Sequence, residues 1–180
     1  MHRYRISLET KLRLYNACIL PIFLYGSQVW SVTSSLSKIN ALDNWCLSWI
    51  LHIHWTDFVS TEEVQSRTGQ PFLSDTIRGR RLSFFWHPSR ADPSQDHSRA
   101  LQSCILGPPR VWRHGVGRPR QSWLRTVEDD LWPLNFGLAT ARQRALDRSA
   151  WRLLVETATS TWHAPEREIL QTEMDTHILH

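Results

Sequence analysis

Apolar residues recur three or four positions apart along most of this chain, and that spacing restricts its fold more than any other feature. It is clearest in the run that contains Leu36, Ile39, Leu42, Cys46, Trp49, Ile50 and Ile53. Residues spaced in this way lie on one face of an α-helix. We therefore predict a mainly α fold, with about five to six helices joined by long loops in a small, incomplete domain.

Capping residues and prolines set the predicted helix boundaries. Side chains that suit the first turn of a helix stand at Ser7, Ser60, Ser74, Pro119 and Thr140. The last of these is expected to cap one helix that runs to about Thr159. Because proline lacks an N–H, Pro21 is expected to kink or end the first helix, and Pro88 and Pro93 to bracket a loop. Residues 98–106 fit either a short helix or a strand.

Ten tryptophans in 180 residues form an unusual load of large apolar side chains. With a hydrophobic fraction of 41%, they argue against a disordered chain. Tryptophan is costly to leave in water, so many of the ten should be at least half buried. In an incomplete domain, some of them would instead form exposed apolar patches.

Positive charge is concentrated in the middle of the sequence. The net charge of +4 divides into zero over residues 1–77, +8 over 78–125 and −4 over 126–180. The middle segment holds ten arginines and no lysine, and guanidinium groups suit bidentate contacts with phosphate. Two explanations stay open, namely a nucleic-acid partner or a basic surface that pairs with the acidic C-terminal third of the same chain.

Arginines and tryptophans alternate in the second half of this basic segment. Such mixing suits a surface that binds single-stranded nucleic acid by phosphate pairing and base stacking. The predicted nucleic-acid-binding residues are Arg78, Arg80, Arg81, Arg110, Trp112, Arg113, Arg118, Arg120 and Arg125. The predicted partner is RNA or single-stranded DNA. The alternative is a basic loop in which Trp112 is isolated and Trp123 belongs to the core.

No residue pattern indicates catalysis or a bound cofactor. Adjacent acids occur only at residues 62–63 and 128–130, and the helical context of the second run predicts a solvated face rather than a Mg²⁺ site. His52 and His54 do not share a helix face and lack further ligands, so we expect ordinary helix-end residues. A glycine-rich phosphate loop and a nucleophile elbow are also missing from the sequence. We predict a non-enzyme with no metal and no cofactor.

The cysteines and the hydropathy pattern bear on the compartment. Cys18, Cys46 and Cys104 are an odd number with no close pair, which indicates a reduced, intracellular setting rather than a disulfide framework. The apolar run at residues 17–25 is far shorter than the ~20 residues that a membrane-spanning helix needs. We therefore predict an intracellular protein with no membrane partner.

Four sequence blocks carry a family resemblance. They are KLRLYNACILPIFLYGSQVW at 11–30, RGRRLSFFWHPSR at 78–90, GRPRQSWLRTVEDDL at 117–131 and DRSAWRLLV at 147–155. In this order they resemble the region after the polymerase core in reverse transcriptases of LINE-type (non-LTR) retrotransposons. The chain departs from that family at Trp86, where glycine is usual, and at Pro88, which opens a Pro-Ser pair in place of an apolar-Cys pair.

The resemblance implies a domain plan and an origin. Residues 1–72 would form a helical, thumb-like segment, 73–162 a basic helical C-terminal segment, and 163–180 a polar, frayed tail. Since polymerase and endonuclease motifs are not found, we predict a non-catalytic remnant of a retrotransposon reverse transcriptase that retains weak binding to RNA or single-stranded DNA. Two alternatives stay open: a helical protein-interaction module with exposed Trp-rich patches, or a chain with no stable function.

Overall fold

The regular structure of this chain is helical. A computed structural model describes residues 6–31, 35–106 and 122–161, and no strand occurs in those ranges. Within the described ranges, eight helices follow one another: α1 in three continuous parts (Leu8–Leu14, Tyr15–Ile19 and Leu20–Phe23), α2 (Leu36–Leu51), α3 (Thr61–Thr68), α4 (Leu73–Arg90), α5 (Asp96–Leu106), α6 (Trp123–Leu131), α7 (Leu138–Arg144) and α8 (Arg148–Thr161). The mainly α prediction is confirmed, and the expected five to six helices are too few.

The helix α1 accommodates Pro21 instead of ending there. Its middle part is a π-helical turn, in which the Leu20 N–H donates to the Tyr15 carbonyl. The wider turn comes directly before Pro21, which has no N–H to donate. The helix then continues to Phe23, and the chain turns at Gly26 with φ of 67°. A left-handed backbone of this kind favours glycine.

The second proline prediction is wrong, because Pro88 lies inside α4. The helix continues past it to Arg90. In the same last turn, the Ser89 hydroxyl donates to the Phe85 carbonyl over 2.7 Å. The stretch after Pro93, which fitted a helix or a strand, is the helix α5.

The cap predicted at Ser60 is confirmed, and its partner lies in the same helix. Ser60 caps α3 by accepting from the Glu63 N–H at 3.2 Å, and Gly69 ends that helix with φ of 64°. Ser74, in contrast, lies in the first turn of α4, and its N–H donates to the Asn40 side chain of α2 at 2.9 Å. The cap of α4 therefore comes from another helix.

The predicted single helix from Thr140 is two helices. Thr140 lies inside α7, and a new helix begins after Asp147. The Asp147 carboxylate accepts from the Ser149 N–H at 2.9 Å and the Ala150 N–H at 3.2 Å. It therefore serves as the N-cap of α8.

The helix α4 occupies the centre of the fold. It contacts α2, the short 3₁₀ turn Ser27–Val29, and all four helices that follow it. Its C-terminal half contributes to the largest core cluster, formed by Leu82, Phe85, Leu101, Val127, Leu131, Ala141, Ala145 and Trp151. Two smaller clusters join the N-terminal helices: Leu24, Leu36, Leu73 and Ile77 pack the end of α1 and α2 against α4, and Tyr15, Leu47 and Val64 hold α1, α2 and α3 together.

Candidate functional site

Arg81, one of the predicted nucleic-acid contacts, is completely buried. Its Nε donates to Asp130 Oδ2 at 2.7 Å and its Nη2 to Asp130 Oδ1 at 2.8 Å. Its Nη1 donates to the Trp30 carbonyl at 3.3 Å. Arg81 therefore joins α4 to α6 and offers no surface to a phosphate.

Asp130 corrects a second prediction, since it was expected on a solvated helix face. Glu128 and Asp129 are exposed, but Asp130 is 3% exposed. Burial raises the pKa of Asp130, and the hydrogen bonds and charge of Arg81 oppose that rise. One carboxylate of the acidic C-terminal third thus pairs with an arginine of the basic segment. Such pairing was one of the two explanations that the charge distribution left open.

Arg78 and Arg80, the other two predicted nucleic-acid contacts on α4, also contact groups of this chain. Arg78 lies 3.4 Å from Asp75 and 3.7 Å from Asp130. Arg80 is exposed, and its Nη1 donates to the Leu24 carbonyl at 3.0 Å. Of the three, Arg80 is the most exposed.

The rest of the predicted site divides into described and undescribed residues. Arg125 is exposed on α6. Trp123 packs against the largest core cluster, and its Nε1 donates to the Gln28 carbonyl at 2.8 Å. The remaining predicted contacts lie outside the described residues: Arg110, Trp112, Arg113, Arg118 and Arg120.

A cationic cleft that the sequence did not reveal lies between the C-terminal half of α4 and α8. This Trp86 cleft has a volume of about 340 Å³ and is lined by Ser83, Trp86, His87, Arg148, Trp151, Arg152, Val155 and Glu156. The guanidinium carbons of Arg90 and Arg148 lie 4.8 and 5.6 Å from the centroid of the Trp86 ring. Cations at these distances are attracted to an aromatic face. Two guanidinium groups thus lie against one tryptophan ring, and Arg152 and His87 line the same cleft.

The Trp86 cleft continues into a shallower depression along α4. That depression is lined by Gln28, Thr76, Gly79, Arg80, Ser83, Phe84, His87 and Val155, so the two share Ser83, His87 and Val155. We call the two together the basic trough. Its lining includes Arg80, Arg148 and Arg152, and one acid, Glu156.

The basic trough was not predicted, because its residues are far apart along the sequence. Arg148 and Arg152 belong to the third of the sequence with a net charge of −4, and Arg90 is nearly 60 residues away from Arg148. A signal was nevertheless present. Arg148 and Arg152 are four residues apart, so they share one face of a helix, next to Trp151.

A second surface, of opposite character, lies between α1 and α2. The two helices run antiparallel, since Lys11 Nζ lies 2.8 Å from His52 Nε2 and 3.4 Å from the Ile50 carbonyl. An apolar groove of about 580 Å³ opens along the pair, lined by Lys11, Leu14, Tyr15, Cys18, Ile19, Trp45, Cys46, Trp49, Ile50 and His52. Trp45 and Trp49 are 67% and 74% exposed. Large aromatic side chains are rarely left so open to water.

The floor of the apolar groove is fixed by a buried polar network. The Tyr15 hydroxyl donates to Asp43 Oδ1 at 2.5 Å, and Gln65 Nε2 donates to Asp43 Oδ2 at 3.2 Å. Burial raises the pKa of Asp43, and these two hydrogen bonds oppose the rise. Burial also raises the pKa of Tyr15 and of Cys46. The network ties α1, α2 and α3 together through one carboxylate.

The described ranges contain no group of three or more His, Cys, Asp or Glu side chains placed to hold a metal. His52 ends α2 in a left-handed conformation, with φ of 58°, and His54 begins a short 3₁₀ turn. Both are therefore helix-end residues, as predicted. Cys18, Cys46 and Cys104 are free thiols. Within the same ranges, no helix combines the length and the apolar character needed to cross a bilayer.

Comparisons with known protein families, with characterised proteins and with solved structures each find no match for this chain. The resemblance of the four sequence blocks therefore stays a prediction. The two surfaces, the basic trough and the apolar groove, are the features from which a function can be argued.

Proposed function

We propose that this protein is a non-catalytic, helical nucleic-acid-binding protein, derived from the C-terminal region of a LINE-type reverse transcriptase, and that it binds RNA or single-stranded DNA in the basic trough. One observation carries the proposal. Arg90 and Arg148 both lie against the ring of Trp86, and Arg152 and His87 line the same cleft. Phosphate-binding groups and a stacking surface are thus brought together.

The chemistry of the trough suits a single strand. Guanidinium groups bind phosphate oxygens in pairs, and their planes also stack on unpaired bases. Thr76 to Arg90 span about 21 Å of α4 at ~1.5 Å per residue. That length is on the scale of the shortest single-strand sites, about four nucleotides. Glu156 is an acid in this lining, and it would favour weak, reversible binding.

The proposal is tested by fluorescence anisotropy with a labelled 12-nucleotide RNA and the matching DNA at two salt concentrations. The wild-type chain should bind at low salt, and the logarithm of the affinity should fall linearly with the logarithm of the salt concentration. The double variant Arg148→Gln/Arg152→Gln removes two phosphate contacts. Its affinity should drop about tenfold or more, and its salt slope should decrease by about 1.4.

A matched double variant controls for a general loss of charge. Arg13 and Arg67 are exposed arginines of α1 and α3, paired with Glu9 and Glu63 on their own helices. Arg13→Gln/Arg67→Gln should bind like the wild type. Equal affinity of the Arg148/Arg152 variant, or no binding by the wild-type chain at low salt, would overturn the proposal.

A second candidate function is a protein-interaction module, and the exposure of Trp45 and Trp49 favours it. Its test uses an anilinonaphthalene sulfonate dye, whose fluorescence rises on accessible apolar surface. The dye should bind the dilute wild-type chain, and Trp45→Glu/Trp49→Glu should lose most of that signal. Trp132, 80% exposed beyond α6, provides the control Trp132→Glu. Equal dye binding by all three proteins would exclude the groove as a binding surface.

A further inference from the structure

We propose that the apolar groove is a self-association interface, in which two copies of this chain pack their α1–α2 pairs together about a two-fold axis. The inference rests on the second candidate function and gives its partner as a second copy. It does not depend on nucleic-acid binding, which uses the basic trough on α4 and α8.

The exposed apolar area is the first argument. Leu14 and Ile19 are each 52% exposed, and Ile22, three residues further along α1, is 79% exposed. The indoles of Trp45 and Trp49 alone expose about 200–350 Å², taking ~150–250 Å² for a fully exposed aromatic side chain. The largest apolar patch on an ordinary monomer is about 300–600 Å². The two indoles alone reach the lower part of that range and the aliphatic side chains add to them, toward the roughly 800 Å² that one side of a standard protein interface buries.

The charge distribution is the second argument. In a two-fold interface each patch meets its own copy, so a central charge of one sign would face itself. On α1, residues 14–22 contain no charged side chain, and on α2 the one charged residue after Lys38 is Asp43, which is buried. The charged residues of both helices lie toward the ends of the face. The face is therefore compatible with its own copy.

The shape of the surface is the third argument. Trp45 and Trp49 are one helical turn apart, so they form a ridge beside the groove that runs along α1. A two-fold axis between two copies places the ridge of each against the groove of the other. Ridges that fill grooves are the usual way in which helices pack. The product is a layer of four helices, two from each copy, as in a helical bundle.

The oligomeric state is measured by sedimentation velocity from about 1 to 200 µM in high salt, where an apolar interface persists. The full chain should shift from monomer to dimer over this range. Trp45→Glu/Trp49→Glu should remain monomeric, because two charges would then be buried without partners. Trp132→Glu should dimerise like the wild type. Circular dichroism checks that all three proteins are equally helical.

Cysteine labelling gives an independent readout on the wild-type chain. Cys18 lines the groove, whereas Cys104 is exposed on α5. As the protein concentration rises, reaction of Cys18 with a maleimide should slow at least tenfold, and that of Cys104 should not change. A monomer at every concentration, a dimer that survives the two Trp→Glu changes, or unprotected Cys18 would overturn the inference. The dye experiment would then still show whether the groove is an accessible apolar surface, and the anisotropy experiment would be unaffected.

Discussion

The N-terminal half (α1 to α3) and the C-terminal half (α4 to α8) both bury carboxylates, and Asp43 in the first half and Asp130 in the second are satisfied in different ways. In the N-terminal half, Asp43 has neutral partners, the Tyr15 hydroxyl and the Gln65 amide. In the C-terminal half, Asp130 has a charged partner in the fully buried Arg81. The outer surfaces differ as well. The N-terminal pair of helices leaves an apolar face uncovered, whereas the largest core lies in the C-terminal half.

This difference indicates how strongly each buried carboxylate depends on its hydrogen-bond partners. A buried ion pair is costly to break because the remaining charge stays buried. A carboxylate held by neutral groups can be replaced by an amide more easily. Single substitutions of buried residues should therefore destabilise the C-terminal half more strongly. The N-terminal half should respond more to whether another molecule covers its apolar face.

The largest expected effect is that of Asp130→Asn. It removes the carboxylate that pairs with the buried Arg81 guanidinium and should lower the free energy of unfolding by about 4 kcal/mol. Urea unfolding followed by circular dichroism measures it. The double variant Arg81→Met/Asp130→Leu, which removes both charges, should recover much of the loss. A cost below about 1 kcal/mol for the single change would refute the structural role of the pair.

The next effect contrasts two tryptophans. Trp151 is 3% exposed and donates to the Leu82 carbonyl at 3.1 Å, so Trp151→Ala should cost about 3 kcal/mol through the cavity and the lost hydrogen bond. Trp45→Ala, on the uncovered face, should change the stability of the dilute chain by less than about 0.5 kcal/mol. Thermal melts at low concentration compare the two. Similar losses would mean that Trp45 is buried in solution.

A smaller effect is expected for Asp43→Asn, at about 1 kcal/mol or less. The new amide can still accept from Tyr15, and the Gln65 carboxamide can rotate, because its Oε1 is buried and has no hydrogen-bond partner. Since the pKa of Asp43 is raised in the folded protein, the aspartate stabilises most at low pH. That contribution is lost as the pH rises through the folded-state pKa.

The wild-type chain should therefore lose stability relative to Asp43→Asn as the pH rises above the ordinary aspartate range and through the raised pKa of Asp43. Urea unfolding of both proteins at several pH values measures the difference. A difference that stays constant, or that grows in favour of the aspartate as the pH rises, would contradict the raised pKa.

The smallest effect is expected at Asp147, and its pH dependence is opposite to that of Asp43. Hydrogen bonds from the Ser149 side chain and from the Ala150 and Ser149 N–H groups lower the pKa of Asp147. Its contribution to α8 is thus present above the ordinary aspartate range and is lost as the pH falls through the lowered value. Asp147→Asn keeps a capping side chain and should remove this acid dependence. Acid titration of helicity in the two proteins tests it, and identical profiles would exclude the cap.

Much of the local structure could be predicted from the sequence, because its causes lie within a few residues. The Ser60 cap, the Gly69 stop and the existence of the helix α2 are of this kind. Pro88 was misleading because proline costs about 3 kcal/mol inside a helix, a penalty that packing can offset. In α4, the burial of neighbours such as Leu82 and Phe85 contributes about 1.5–3 kcal/mol for each side chain.

The candidate site was less predictable than the fold. Charge counted along the sequence cannot separate Arg81, which turns inward to Asp130, from Arg80, which stays on the surface. It also cannot bring Arg148 next to Trp86, since only the packing of α8 on α4 does so. The apolar groove was implied by the tryptophan content, but which tryptophans remain exposed depends on the antiparallel pairing of α1 and α2.

The central claim is that the two halves carry separate surfaces, one for a single strand and one for a second copy. Oxidative footprinting resolved for each tryptophan by mass spectrometry tests it directly, with and without single-stranded RNA and at low and high protein concentration. RNA should protect Trp86 and leave Trp45 and Trp49 reactive, whereas high concentration should protect Trp45 and Trp49 and leave Trp86 unchanged. Trp151 should be protected throughout. Protection of Trp45, Trp49 and Trp86 by the same treatment, or a fully reactive Trp151, would contradict the account.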